Sequence, residues 1–417
     1  MKEQNTMRPN LNQTPMGSRI TISLFGRRNA GKSTLMNRLT NQSISVVSDV
    51  AGTTTDPVYK AMELLPLGPV TFVDTAGFDD IGELGGQRMK KTREVLRKTE
   101  VAVIVLQAGE ELTEDEIKFY EENKRRDIPI VVFVNKCDIK QPSEELIHWL
   151  LKNQLSYLLG SAAEDKGILL LKERIISAAK VEENELSIVS GIIHPGEIAV
   201  LVTPIDKAAP KARLILPQQQ TIRDILEKDA MCIVTKEHEL KATLDSLAKK
   251  PAIVITDSQV FLKVSADTPK DIPLTSFSIL FARYKGELSA LIEGVSTVKK
   301  LKAGDKILIV EGCTHHRQSD DIGTVKIPRW LRQMVGGELE FSFASGTEFP
   351  ENLREYALII HCGACMLNNK EMKYRLNVAK EQGVPITNYG MVIACVQGIL
   401  KRALEPFPYA SELLEEE

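Results

Sequence analysis

Near the C-terminus the run HCGAC delivers His361, Cys362 and Cys365 within five positions, and an upstream run supplies Cys313-Thr314-His315. Two thiolates three residues apart in a turn can point to one metal centre. A third thiolate with an imidazole completes a donor set suited either to a closed zinc site or to an iron–sulfur cluster. A redox dithiol accounts for Cys362 and Cys365 but leaves Cys313 unexplained. A second chemistry is written near the N-terminus, in GRRNAGKST. There Gly26, Gly31, Lys32 and Ser33 fit G-x-x-x-x-G-K-[ST], with Ala30 and Thr34 in the same loop. Glycines let backbone N–H groups wrap phosphate, Lys32 sets a cation on the outer oxygens, and the Ser33 hydroxyl ligates Mg²⁺.

Two further runs extend the phosphate site. Asp74-Thr75-Ala76-Gly77 follows the apolar VTFV, where Asp74 can hold the Mg²⁺ shell and the Gly77 amide can meet a γ-phosphate. Asn135-Lys136-Cys137-Asp138 follows IVVFV, and a carboxylate at Asp138 accepts two hydrogen bonds from guanine that adenine cannot offer. In order and separation these runs resemble the GTPase superfamily, with Ser161-Ala162-Ala163 matching its last base-contacting motif. The resemblance implies GTP and GDP as ligands, with Mg²⁺.

The finer likeness is to the Era and TrmE branch. Gly52-Thr53-Thr54-Thr55-Asp56 is similar to that branch's switch I, which implies Thr54 as a Mg²⁺ ligand, with Thr53 the fallback. Asn29 matches the asparagine that helps hold K⁺ in potassium-activated members. Phe78 stands where Ras-like proteins place a water-orienting glutamine, and an apolar ring cannot orient a nucleophilic water. Slow intrinsic hydrolysis is therefore expected, speeded by K⁺, a partner or dimerisation.

The elements that must position these residues follow from the apolar pattern. Residues 19–182 alternate strand and helix, with ITISLFG, VTFVDTAG, VAVIVLQ, IPIVVFVNK and YLLGSAA as strands of a mostly parallel sheet. After the polar SAAKVEENELS, residues 183–270 form a small α/β domain with AVLVTPI, ARLIL, MCIVT and AIVIT as strands. Residues 271–417 open with one long helix over FSILFARYKGELSALIEGV. They then place KILIV and YALII as parallel strands whose C-terminal ends converge at one rim, bringing Cys313 to Cys362 and Cys365. YGMVIACVQGILKRAL is expected as a closing helix. The fold class is α/β in three domains, preceded by a flexible tail over residues 1–18.

An Era-like G domain, a central α/β domain, then C-x-H and H-C-x-x-C in that order resemble the maturation GTPase of [FeFe]-hydrogenases, the HydF family. The resemblance implies a homodimeric scaffold, dimerised through the central domain. It carries a [4Fe-4S] cluster and a diiron H-cluster precursor with CO, cyanide and dithiolate ligands. Two radical S-adenosylmethionine maturases supply that precursor and apo-[FeFe]-hydrogenase receives it. On the same resemblance Cys313, Cys362 and Cys365 are the iron ligands. His315 and His361 are read either as a fourth ligand or as hydrogen-bond donors beside the cluster, and Asp320 offers an oxygen ligand. His316 and Arg317 share that loop.

Composition narrows the alternatives. Lys plus Arg number 53 against 56 Asp plus Glu, which disfavours a protein working by phosphate neutralisation along nucleic acid. The rival, an Era-like GTPase acting in RNA modification or ribosome assembly with a structural zinc, demands a basic surface. No apolar run approaches membrane-spanning length and no signal peptide is visible, so no membrane role and a cytoplasmic location are expected. Cys137 belongs to the guanine motif, and Cys232 and Cys395 read as buried apolar residues.

Overall fold

The computed structural model describes residues 17, 19–40, 57–75, 77, 83–180, 187–205, 214–286, 288–312, 321–346, 348–364 and 366–415. It divides into two compact units, Met1–Asn184 and Glu185–Glu417.

In the first unit β1 (Ile20–Phe25), β2 (Val58–Leu64), β3 (Gly68–Asp74), β4 (Val101–Gln107), β5 (Ile130–Asn135) and β6 (Ser156–Leu159) form one sheet in the order β2-β3-β1-β4-β5-β6. Only β2 runs antiparallel. The central strands β1, β3, β4 and β5 are apolar on both faces, as a sheet covered by helices on each side requires. Leu24, Phe72, Val103 and Phe133 pack in one layer with Leu35 and Leu39. Their neighbours Phe25, Val73, Ile104 and Val132 pack in the other with Leu146 and Leu150. Parallel pairing puts the C-terminal ends of β1, β3 and β5 on one rim, where the phosphate and guanine motifs begin.

The second unit holds two parallel sheets. β7 (Ile198–Val202), β8 (Met231–Thr235), β9 (Ile253–Thr256) and β10 (Leu274–Ser276) run in the order β10-β9-β7-β8. β11 (Lys306–Glu311), β12 (Glu340–Ser345), β13 (Leu358–His361) and β14 (Ile386–Asn388) run in the order β12-β11-β13-β14. A single hydrophobic core joins them, from Val200 and Ile255 through Phe281 and Leu291 to Ile309 and Ile360. Among the described residues no helix is long and apolar enough to cross a membrane.

Three expected elements differ. Of ARLIL, residues 212–213 lie outside the described residues. Leu214 and Ile215 are not strand, and Leu216 opens the helix Leu216–Glu227 because Pro217 suits a first helical turn, where its missing N–H costs nothing. The expected long helix is two, Phe277–Lys285 and Leu288–Ser296. Gly286 caps the first in an extended conformation, and a Cβ there would lie 2.8 Å from Leu376 Cδ1. The closing helix also breaks, into Tyr389–Val396 and Leu400–Leu404, with Gly398 at φ 72° between them.

The helix Leu288–Ser296 lies directly on β14, since a Cβ at Gly294 would collide with the Ile386 backbone, and Thr387 donates its hydroxyl to the Leu291 carbonyl at 2.9 Å. Gly294→Ala must push helix and strand apart, and we expect a loss of about 2 kcal/mol by denaturant unfolding. An unchanged unfolding midpoint would refute this packing.

Candidate functional site

Between β1 and the helix Lys32–Thr40, the loop Gly26–Gly31 curls with Gly26, Asn29 and Gly31 at φ 152°, 61° and 93°. A Cβ at Gly26 would strike the Val105 carbonyl and one at Gly31 the Asn135 amide. Both positions thus require glycine on space as well as conformation. Lys32 folds back across the loop, donating to the carbonyls of Gly26 (2.9 Å) and Arg27 (2.7 Å). Ala30 is buried, whereas Asn29, Ser33 and Thr34 are exposed.

The Ser33 hydroxyl donates to Asp74 Oδ2 at 2.5 Å, so the two residues expected to share a Mg²⁺ shell are together. Asp74 Oδ1 is buried and makes no hydrogen bond. Burial pushes the Asp74 carboxyl above the ordinary range, against the opposing pull of the Ser33 bond and of Lys32 and Lys60. A half-satisfied buried carboxylate of this kind suits a hard dication. Thr75 donates to the Leu24 carbonyl at 2.7 Å and holds the chain that leads to Gly77 against β1. Thr53, Thr54, Ala76 and Phe78 lie outside the described residues.

Asn135, the first residue of the guanine motif, is buried and braces two loops. Its amide donates to the Ala30 carbonyl at 2.8 Å, and its oxygen accepts the Ala162 N–H at 2.9 Å. It thereby ties the phosphate loop to the Ser161–Ala163 loop, which Arg38 also holds through the Ala162 and Ala163 carbonyls. Ser161 is buried and accepts the Glu164 N–H at 3.2 Å. Lys136, at φ 64°, reaches Gln107 Oε1 at 2.9 Å, and Asp138 is exposed just beyond β5. Together these residues gather the expected phosphate and guanine motifs at one rim of a mostly parallel sheet.

The cysteine region is built the same way. β11 and β13 pair in parallel with Val310 opposite His361, and the Cys362 N–H donates to the Val310 carbonyl at 2.8 Å. Cys362 Sγ accepts the amide N–H of Gly312 at 3.0 Å and of Ala364 at 3.4 Å. Gly312 immediately precedes Cys313 in the chain. Ala364 stands at φ 52°, a left-handed conformation unusual for alanine, which turns its amide back onto the sulfur.

His361 is fully buried. Its Nε2 lies 2.9 Å from Arg375 Nη1. A guanidinium only donates, so Nε2 accepts and the ring proton sits on Nδ1, donating to the Cys362 carbonyl at 2.9 Å. Arg375 in turn pairs with Glu371 Oε1 at 2.9 Å and donates to the Gly346 carbonyl at 2.8 Å, both side chains buried. Nearby, the Tyr389 hydroxyl donates to Glu311 Oε1 at 3.3 Å. Burial first, then the charges of Cys362, Glu311 and Asp321, push it far above an ordinary phenol. Among the described residues no three His, Cys, Asp or Glu side chains gather as metal ligands. Cys313, His315, His316, Arg317, Asp320 and Cys365 lie outside those residues.

Residues 188–286 match the Hydrogen maturase F dimerization domain and residues 289–406 the Hydrogen maturase F tetramerization domain, while residues 21–136 match a 50S ribosome-binding GTPase. The chain belongs to the hydrogen maturase F family. Its first unit is also similar to other GTPases. The tRNA modification GTPase MnmE of Bacillus licheniformis is 33% identical over 182 residues, 42% of this chain and 38% of that protein. GTPase Der of Wolinella succinogenes is 34% identical over 176 residues, 40% of this chain and 37% of that protein. The chain thus spans under two-fifths of the length of these relatives. A crystal structure of Aquifex aeolicus Era bound to GDP.AlF4- is 25% identical over 38% of this chain and 56% of that one, with a TM-score of 0.34.

This hydrogen maturase F family member carries a region that matches a GTPase domain, and two further regions match self-association domains. Its dimerization match runs through Gly286, past the expected domain boundary at residue 270. Several residues that shape the two sites escaped motif reading. Arg27 pairs with Glu116 at 2.9 Å, and Glu116 also closes the capping box with Thr113, which fixes the phosphate loop to the helix Glu114–Arg125. Arg375 and Glu371 sit four apart in a helix whose polar sequence reads as solvent-facing.

Asp74 generates a prediction with a definite sign. Its carboxyl is raised in the folded protein, so its contribution favours folding at low pH and is lost as pH rises through the folded value. At neutral pH the ionised group is a burden that Mg²⁺ relieves. Asp74→Asn should leave the nucleotide-free protein at least as stable to heat while cutting Mg²⁺-dependent GTP hydrolysis by about 100-fold. Lower thermal stability with hydrolysis intact would contradict this account.

Proposed function

We propose that this GTPase is a scaffold and carrier. It binds a [4Fe-4S] cluster on Cys313, Cys362 and Cys365, receives a diiron H-cluster precursor as cargo from two radical S-adenosylmethionine maturases, and delivers it to apo-[FeFe]-hydrogenase. The observation that carries the reading is the Cys362 sulfur, which accepts amide N–H groups from Ala364 in its own turn and from Gly312 at the end of β11. That contact joins the C-x-H loop to the H-C-x-x-C loop, and amide donors aimed at sulfur are a feature of iron–sulfur ligation. The soft donor set fits such a group.

When bound by three thiolates, a cubane cluster leaves one iron with an exchangeable position where a further ligand can dock. The chain's own residues supply the frame. His361 has both ring nitrogens engaged, so on this reading it positions Cys362 through its carbonyl, and Arg375 and Glu371 hold the imidazole in that role. His315 and Asp320 remain the residues of this loop proposed to approach the fourth iron. Tyr389, held by Glu311, furnishes a hydroxyl beside Cys362.

On this reading residues 19–182 form the GTP-binding domain, 183–270 a dimerisation domain and 271–417 the cluster-binding domain, after a flexible tail over 1–18. Dimerisation is supported by the edge strand β8, which exposes Met231 and Val234 beside its unpaired backbone edge. We place the protein in the cytoplasm, where thiols stay reduced, and assign it no nucleic-acid or membrane partner.

Thr54 and Ser33 complete the Mg²⁺ shell on this reading, Gly77 meets the γ-phosphate, and Asn29 holds K⁺ beside the phosphates. Asn29 stands exposed on the left-handed turn of the phosphate loop, which supports that role. Replacing Na⁺ with K⁺ should raise GTP turnover about tenfold or more, and Asn29→Ala should abolish the difference. Equal rates in the two salts would remove K⁺ from the site.

Anaerobic reconstitution with iron and sulfide should give about four irons and four labile sulfides per chain, with an EPR signal after dithionite. Cys362→Ser should lose that signal together with hydrogenase activation, while GTP hydrolysis persists. One zinc without labile sulfide or EPR signal would instead favour an Era-like GTPase of RNA modification or ribosome assembly.

A further inference from the structure

The loop that follows β13 rests on a buried cation that no motif contains. Lys285, last residue of the helix Phe277–Lys285, is 2% exposed. Its ammonium donates to the Ala364 carbonyl at 2.9 Å and to the Leu367 carbonyl at 2.5 Å. Those two carbonyls belong to residues on either side of Cys365 in the chain, and Ala364 is also the residue whose N–H points at the Cys362 sulfur. One peptide segment is thus gripped from below by the ammonium and turned above toward the thiol.

Ordering a lysine in the interior is costly unless its ammonium is well solvated by protein oxygens. A neutral side chain can tie two segments together, as Asn135 does by donating to Ala30 and accepting from Ala162. A full positive charge adds an electrostatic field that a neutral donor does not. Inside a protein such a field acts over several ångströms with little screening. Its placement at the end of the helix is itself favourable, because the negative end of the helix dipole faces it.

We propose that Lys285 is a positioning residue of the cysteine loop whose charge also makes a cluster held there easier to reduce. This rests on the iron–sulfur reading above. Adding an electron makes the cluster more negative, and a fixed cation beside the loop stabilises that reduced form over the oxidised one. Protons need not move for this to work.

The test compares Lys285→Arg, Lys285→Gln and Lys285→Met in the full chain, reconstituted anaerobically and titrated by EPR against solution potential. Gln keeps N–H donors without charge, Arg keeps charge with altered shape, and Met keeps length alone. The Gln and Met proteins should hold wild-type iron and sulfide yet show about a tenfold lower ratio of reduced to oxidised cluster at the wild-type midpoint potential. The Arg protein should remain near wild type. A Gln protein with a full cluster and an unmoved midpoint would overturn the charge role. So would loss of the cluster from both neutral variants, or failure of both to fold, since Lys285 would then be structural alone. If wild-type protein carries zinc without labile sulfide, the iron–sulfur reading fails first and this inference falls with it.

Discussion

The register of β13 on β11 is the constraint from which the C-terminal half of the molecule takes its form. With Val310 opposite His361, the imidazole enters the core and the next residue, Cys362, leaves the sheet at its rim. A slip of one residue exchanges those two faces. It would send a thiol inward and strand an imidazole where Arg375 could no longer reach it. The buried chain from Glu371 through Arg375 to His361 penalises such a slip, because Arg375 bonds both Glu371 Oε1 and His361 Nε2 only in this pairing.

The two functional regions use one architectural device twice. In the first unit β1, β3 and β5 end at the phosphate loop, Asp74 and the guanine motif. In the second, β11, β13 and β14 end at Gly312, Cys362 and Tyr389. Parallel strands present the ends of several chains at one rim, so residues far apart in sequence meet without long loops. The polar groups there differ in kind. Asp74 keeps a buried oxygen without a hydrogen bond, awaiting a hard cation, whereas the Cys362 sulfur already accepts two amides.

Much of this was legible from residue patterns. The apolar runs ahead of GRRNAGKST, DTAG, NKCD and HCGAC are strands, and KILIV and YALII do pair in parallel. Runs of that kind are long enough to be unambiguous, and each motif needs a strand end to work. Helix breaks were harder. FSILFARYKGELSALIEGV has helical periodicity throughout, and only the approach of Leu376 at Gly286 shows why it divides. The ARLIL run looked extended, yet Pro217 just beyond it favours a helix start. Buried charges were hardest of all. Lys285 and Arg375 look like ordinary surface residues of amphipathic helices, because a charge is buried by partners distant in sequence. Asn135 was visible as a motif residue, but its work as a brace between two loops was not.

The shared core of the second unit bears on how its family names should be understood. The dimerization and tetramerization matches meet between residues 286 and 289, yet Phe281, Leu291, Ile309 and Ile360 belong to one apolar cluster. Across that junction Lys285 holds the Ala364 and Leu367 carbonyls, and Asn388 donates to the Ser278 carbonyl at 3.0 Å. The two matches therefore divide one shared apolar core and are not pieces that fold apart. A core shared in this way is expected to open and close as one foldon. Whatever loosens the sheet of β7 to β10 also lowers the hydrogen-exchange protection of the loop that carries Cys362.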